Sequence, residues 1–165
     1  MSIQDLVVDR WGTRFLGQRI PSSIGKGGLT HNKREGDGAT PIGTHHIVDM
    51  MYRPDRIEKP TSWAKPIRHG DLWSDESGDD AYNHLVRSPY NHSHERLMRA
   101  DPLYDLVLVT DWNYPTATPG KGSAIFVHRW RKPRHPTEGC VAYHPDDLAW
   151  IASNITIGTK LIVRG

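Results

Sequence analysis

The feature that most constrains this chain is its punctuation: 15 glycines and 12 prolines run through 165 residues. Proline removes a backbone donor and locks φ, and glycine weakens helix interiors. Long helices therefore have little room, whereas short strands joined by shaped loops do. The apolar fraction of 36% suits such a loop-rich, mainly β protein. The length fits a single domain over residues 1–165, able to bury about 70% of the surface its unfolded form exposes. No repeat, low-complexity tract or linker divides it.

Along the chain, Leu6 to Val8 followed by Asp9-Arg10-Trp11-Gly12 reads as a strand entering a turn, with Arg14 to Ile20 as the returning arm. Gly25 to Gly43 is glycine-dense and reads as a shaped loop. Thr44 to Met51 reads as a strand carrying His45 and His46. Pro54 to Pro89 is irregular and reads as a long decorated loop with room for a short helix. Ser93 to Arg99 is expected to be a short helix capped by Ser93. Asp105 to Thr110 and Ser123 to His128 are the best candidates for buried strands, and Lys160 to Val163 for a terminal one. The clearest helix is Pro145 to Asn154, with proline in its first turn and Asp146 and Asp147 at the positive end of the dipole. These segments predict a mainly β domain with few helices.

Several classes of function are disfavoured. A formal charge of +2 gives no support to a general nucleic-acid binder. The single cysteine, Cys140, excludes an internal disulfide and a cysteine-based zinc site. Met1 to Gly12 has a strand pattern rather than that of an export signal, and no run approaches the ~20 apolar residues of a membrane helix. An integral membrane segment is not expected, and nothing fixes an oligomeric state. Ten histidines invite a metal, but His45 and His46 would point to opposite faces of a strand. His92 and His94 lack a third ligand at persuasive spacing. No metal or other cofactor is expected. The segment Lys33 to Gly43 lacks the Gly-Lys-Ser/Thr ending of a phosphate loop and reads as a structural loop bordering a cleft.

The chemistry concentrates between Ile125-Phe126-Val127-His128 and Pro136-Thr137-Glu138-Gly139-Cys140. A strand ending in histidine and a glycine-preceded cysteine form a nucleophile and base pair, since a thiol needs a base within reach to act as a thiolate. Gly139 permits a sharp turn that aims backbone amides at a developing oxyanion. A lone cysteine is also often only a small buried hydrophobe. The run Arg129-Trp130-Arg131-Lys132-Pro133-Arg134-His135 lies between the pair. Its arginines suit carboxylates, which they can bind with two parallel hydrogen bonds.

The segment Gly120 to Asp147 resembles the core of the L,D-transpeptidase (YkuD-type) domain, which cross-links peptidoglycan through a cysteine acyl-enzyme. Lys33-Arg34-Glu35-Gly36-Asp37-Gly38-Ala39-Thr40-Pro41-Ile42-Gly43 is similar to a family signature. Asp71-Leu72-Trp73, Tyr82-Asn83, Ser93-His94-Glu95-Arg96-Leu97 and Tyr104-Asp105 follow the order seen in a short proteobacterial branch. The resemblance covers nearly the whole chain and implies a mainly β, YkuD-like fold, a β-sandwich or mixed sheet with one or two short helices. It implies Cys140 as nucleophile, His128 as general base, the Arg129 carbonyl as its orienter, and the Gly139 and Cys140 amides as oxyanion hole. Thr137 occupies the Ser/Thr position of the motif before the cysteine. Glu138 stands where the commoner form has histidine, and Ala142 where it has Asn or Arg.

Thr137, Trp130, Arg131, Arg134, Trp73 and His94 are the expected substrate-binding residues. The partners implied are donor and acceptor stem peptides, with release of terminal D-alanine and formation of 3–3 or 1–3 links. The same resemblance implies a periplasmic or cell-envelope location, a contribution to cell shape, and sensitivity to carbapenems. Two other readings use the same sequence: an L,D-carboxypeptidase in which water replaces the amine, and a non-catalytic peptidoglycan-binding module.

Overall fold

The computed structural model describes residues 1–165. The first 23 residues form β1 (Leu6–Asp9), β2 (Gly12–Phe15), β3 (Gln18–Ile20) and β4 (Ser22–Ser23). The two-residue strands β5 (Leu29–Thr30) and β6 (Thr40–Pro41) bracket the glycine-dense loop, and β7 (Gly43–Tyr52) is the longest strand. Then come β8 (Lys65–Pro66), β9 (Asp71–Ser74), β10 (Leu85–Arg87), β11 (His94–Arg96), β12 (Leu106–Thr110), β13 (Phe126–Arg129) and β14 (Val141–Tyr143). The helix α1 (Pro145–Asn154) and β15 (Lys160–Val163) complete the chain.

The fold is mainly β. The principal sheet runs β3-β2-β1-β15-β7-β12-β13-β14-β4, with β8 beside β7. It is mixed: β1 pairs parallel with β15, and β13 parallel with β14. The sheet curls until its ends nearly meet. Thr13 of β2 donates to Ser22 Oγ of β4 at 3.0 Å and shares a 2.8 Å hydrogen bond with the Tyr143 hydroxyl of β14.

Alternation along the strands divides the interior. Leu106 and Leu108 of β12, Val127 of β13, and Val141 and Tyr143 of β14 join a 19-residue apolar core inside the curl, closed by Leu148, Ile151 and Ala152 of α1. Val107, Val109 and Phe126 point the other way, into a 10-residue core that includes Cys140. A register shift between Val109 and Thr110 re-phases β7, so Ile47 and Met50 both reach the first core. A three-stranded flap, β10-β9-β11, lies over the second core and contributes Trp73.

Helix α1 has the bounds expected from the sequence, with the His144 ring accepting from the Asp146 amide at its start. Three expectations need correction. Ser93 to Arg99 is not a helix: His94, Glu95 and Arg96 form β11, paired with Ser74, Trp73 and Leu72 of β9. Seven residues have only weak helical preference, and an available strand edge overrides it. Residues 54–89 contain β8, β9 and β10 and no helix. Residues 14–20 split into two strands at Leu16 and Gly17, both with positive φ, giving a three-strand meander.

Candidate active site

Cys140 and His128 come together because β13 and β14 are parallel neighbours. Val127 pairs with Val141, so Cys140, one residue before β14, lies beside Phe126. Phe126 and His128 are two residues apart on one strand and face the same side. The thiol and imidazole therefore share the sheet face opposite the larger core, and both line a cleft of about 760 Å³.

The turn that presents Cys140 is braced from the glycine-dense loop. Gly139 has φ +139°, and a Cβ there would stand 2.9 Å from the Ala39 carbonyl oxygen. The Thr40 hydroxyl donates to the Gly139 carbonyl at 2.7 Å and accepts from the Gly25 amide at 2.8 Å. The Thr137 hydroxyl accepts from the Gly139 amide at 3.1 Å and donates to the Cys140 carbonyl at 2.6 Å. Thr137 thus spends its hydroxyl on the turn. It also engages one of the two amides expected to form an oxyanion hole.

His128 is 4% exposed. Its Nδ1 lies 2.6 Å from the Arg129 carbonyl. A carbonyl only accepts, so Nδ1 carries the proton and Nε2 keeps its lone pair. Burial pushes the imidazole down to about 4, assisted by the positive charges of Arg99 and Arg131. Cys140 is 7% exposed; its Sγ donates to the Ala124 carbonyl at 3.1 Å and accepts from the Phe126 amide at 3.4 Å. Burial pushes the thiol up to about 12, and the Glu95 charge adds to the rise. Both shifts favour neutral forms, so the resting pair is thiol and imidazole rather than thiolate and imidazolium.

Of the residues expected to contact substrate, Thr137, Trp130, Arg131 and His94 line the cleft. Trp73 and Arg134 do not. Trp73 is 3% exposed, packs edge-on against Phe126 and donates its indole N–H to Asn83, which makes it part of the second core. Arg134 is exposed, in a turn with φ +57°. The Arg129 side chain is likewise outside the cleft lining; only its carbonyl serves His128.

The cleft is also lined or braced by residues to which the motifs alone assign no role. Lys33 is buried and paired with Asp37, and it donates to the Arg34 carbonyl at 2.9 Å. Glu35 accepts from the Tyr82 and Ser123 hydroxyls. Arg53 and Arg56, beyond the end of β7, hold the wall at residues 99–101 by donating to the carbonyls of Arg99, Ala100 and Asp101. Tyr104 stands edge-on to His128 and donates to Glu95, which lines the same cleft. Glu95 was hidden by the helix expectation, because only the strand register of β11 aims it at the cleft.

Sheet and cleft together define a β protein that brings one thiol and the buried His128 imidazole to a polar, partly open site. The chain belongs to the L,D-transpeptidase catalytic domain (YkuD) family, whose profile matches residues 6–163. An L,D-transpeptidase from Mycobacterium smegmatis superposes over 97% of this chain and 58% of its own length, with 16% identity and a TM-score of 0.47. This chain therefore spans little more than half of that protein. A search of curated proteins finds no match. No helix is long and apolar enough to cross a membrane.

Proposed function

We propose that this chain is a peptidoglycan L,D-transpeptidase working through a Cys140 thioester, and that it acts in the periplasm or cell envelope, where that substrate lies. The observation that carries the reading is the disposition of His128. Its Nδ1 proton is committed to the Arg129 carbonyl, leaving Nε2 as a base in the cleft that Cys140 lines.

In this mechanism the thiol turns from the Ala124 carbonyl toward Nε2. Because burial keeps both groups neutral at rest, the proton moves as Sγ attacks and not beforehand. The electrophile is the carbonyl joining the L-centre of a diaminopimelate residue to terminal D-alanine. The Cys140 amide, joined by the Gly139 amide once Thr137 releases it, stabilises the oxyanion. His128 returns its proton to the departing D-alanine amine. An acceptor amine then resolves the thioester, with His128 as base again. Arg131 and His135, on the cleft wall, provide cationic or hydrogen-bonding partners for stem carboxylates.

The test is mass spectrometry of the purified protein incubated with disaccharide-tetrapeptide, beside Cys140→Ala. The expected result is loss of D-alanine with a new dimer, absent in the variant, and fragmentation then assigns a 3–3 or 1–3 link. Tripeptide alone would make the chain a carboxypeptidase. No turnover in either protein, with an active reference enzyme in the same buffer, would favour a binding module. A carbapenem adduct on Cys140, abolished by the same substitution, is the corresponding inhibitor expectation.

A further inference from the structure

We infer that Glu95, held by Tyr104 at the wall of the cleft, receives the ammonium group of the acceptor strand and takes its surplus proton. The inference rests on the transpeptidase reading and adds to it the group that distinguishes an amine acceptor from water.

The need arises from proton accounting. A primary amine on a stem peptide is an ammonium near neutral pH and must lose two protons on becoming an amide nitrogen. The nitrogen lone pair forms the new C–N bond, the C–S bond breaks, and the sulfur leaves with the bonding pair. One ammonium proton travels through His128 to that sulfur and restores the thiol. His128 enters this half-reaction neutral, having given its proton to D-alanine, and carries only one. The other ammonium proton must leave before the nitrogen can attack, and it needs a second base. A water molecule attacks without that prior deprotonation.

Glu95 meets the requirement by position. It lines the same cleft as Cys140 and His128. The Tyr104 hydroxyl donates to Glu95 Oε2 at 2.5 Å, and no protein hydrogen bond engages Oε1. The Tyr104 ring stands edge-on to the His128 ring, with centroids 5.5 Å apart. Tyr104 thus touches the carboxylate with its hydroxyl and the His128 ring with its own ring. Glu35, the neighbouring acid, is already engaged by the hydroxyls of Tyr82 and Ser123.

The electrostatics agree. Burial raises the Glu95 carboxyl above its usual range, and the charges of Asp75 and Glu35 push the same way, while the Tyr104 hydrogen bond and Arg99 oppose them. A raised carboxyl is a better proton acceptor, and desolvation of an ammonium in the same cleft lowers that group's pKa. The two values are brought toward each other, as proton transfer requires.

The experiment uses the full chain with disaccharide-tetrapeptide as donor and acceptor, comparing wild type, Glu95→Gln and Tyr104→Phe. Intact mass follows the acyl-enzyme, and chromatography measures dimer and tripeptide. Glu95→Gln should form the acyl-enzyme within about threefold of the wild-type rate but make dimer at least about a hundredfold more slowly, the range of a lost general base. Tripeptide should then dominate. Tyr104→Phe removes a hydrogen bond that favours the charged carboxylate, so the acid limb of dimer formation should move to higher pH. An unchanged dimer-to-tripeptide ratio in Glu95→Gln would overturn the inference, as would an equal fall in acylation and dimer formation. Failure of the wild-type protein to acylate Cys140 would instead overturn the transpeptidase reading beneath it.

Discussion

The two faces of the central sheet are built from the same strands and do opposite work. On the face inside the curl, 19 buried residues pack with α1, and the buried Tyr143 hydroxyl finds Thr13. On the other face, Phe126, Val107 and Val109 pack similarly, but the layer ends in Cys140 and borders His128, Tyr104 and Glu95 at an open cleft. The first face has little to titrate. The second holds groups whose proton affinities burial has moved by a few units. Stability and chemistry are thus separated by a single residue step along each strand, because adjacent side chains point to opposite sides.

The separation can be broken most sharply at Cys140. Cys140→Ala should reduce acylation at least about a thousandfold, as loss of a covalent nucleophile does, while stability to urea changes by only about 1 kcal/mol, the substitution being small to small. A large shift of the urea midpoint would make the cysteine mainly a packing residue. The converse lies at Ile151, fully buried against the first core. Ile151→Ala should cost about 2–5 kcal/mol of stability, while the folded enzyme keeps its turnover within a few-fold.

The second face should also betray itself through pH. His128 falls from 6.5 to about 4 on folding, so between those values the unfolded chain binds the extra proton and the native chain does not. Stability is therefore fully present above about pH 6.5 and is lost as pH falls toward 4, by about 3 kcal/mol. His128→Gln should flatten that part of a urea-midpoint profile, and an unaltered slope would assign it elsewhere. The smallest effect concerns the brace between the loops. Thr40→Val removes the hydroxyl shared by Gly25 and Gly139. It should cost about 1–2 kcal/mol and slow acylation several-fold in a stopped-flow or intact-mass time course.

Much of this was legible in the sequence wherever one residue type dictates local geometry. Pro145, Asp146 and Asp147 mark the start of α1, and the continuous apolar run of β12 marks a strand buried on both faces. The motifs around His128 and Cys140 lead to the expectation of a nucleophile and base pair, and both residues line one cleft. The failures share a cause. Ser93 to Arg99 reads locally as helix, yet its neighbour is the edge of β9, and pairing across 20 residues outweighs weak helical preference. Trp73 is expected to contact substrate, yet its ring fills the second core against Phe126.

By itself, then, the sequence determined the mainly β character, the helix at residues 145–154 and which thiol and imidazole to look for. Those follow from punctuation, periodicity and motifs, all of them local. Only the tertiary structure decided that His128 presents Nε2 rather than Nδ1, that Thr137 is occupied with its own turn, and that Glu95 faces the cleft. The first two rest on hydrogen bonds to residues one to three places away, made possible by backbone conformations that the packing imposes. The third rests on the register of β11 against β9, a pairing chosen by three-dimensional proximity that residue order does not encode directly.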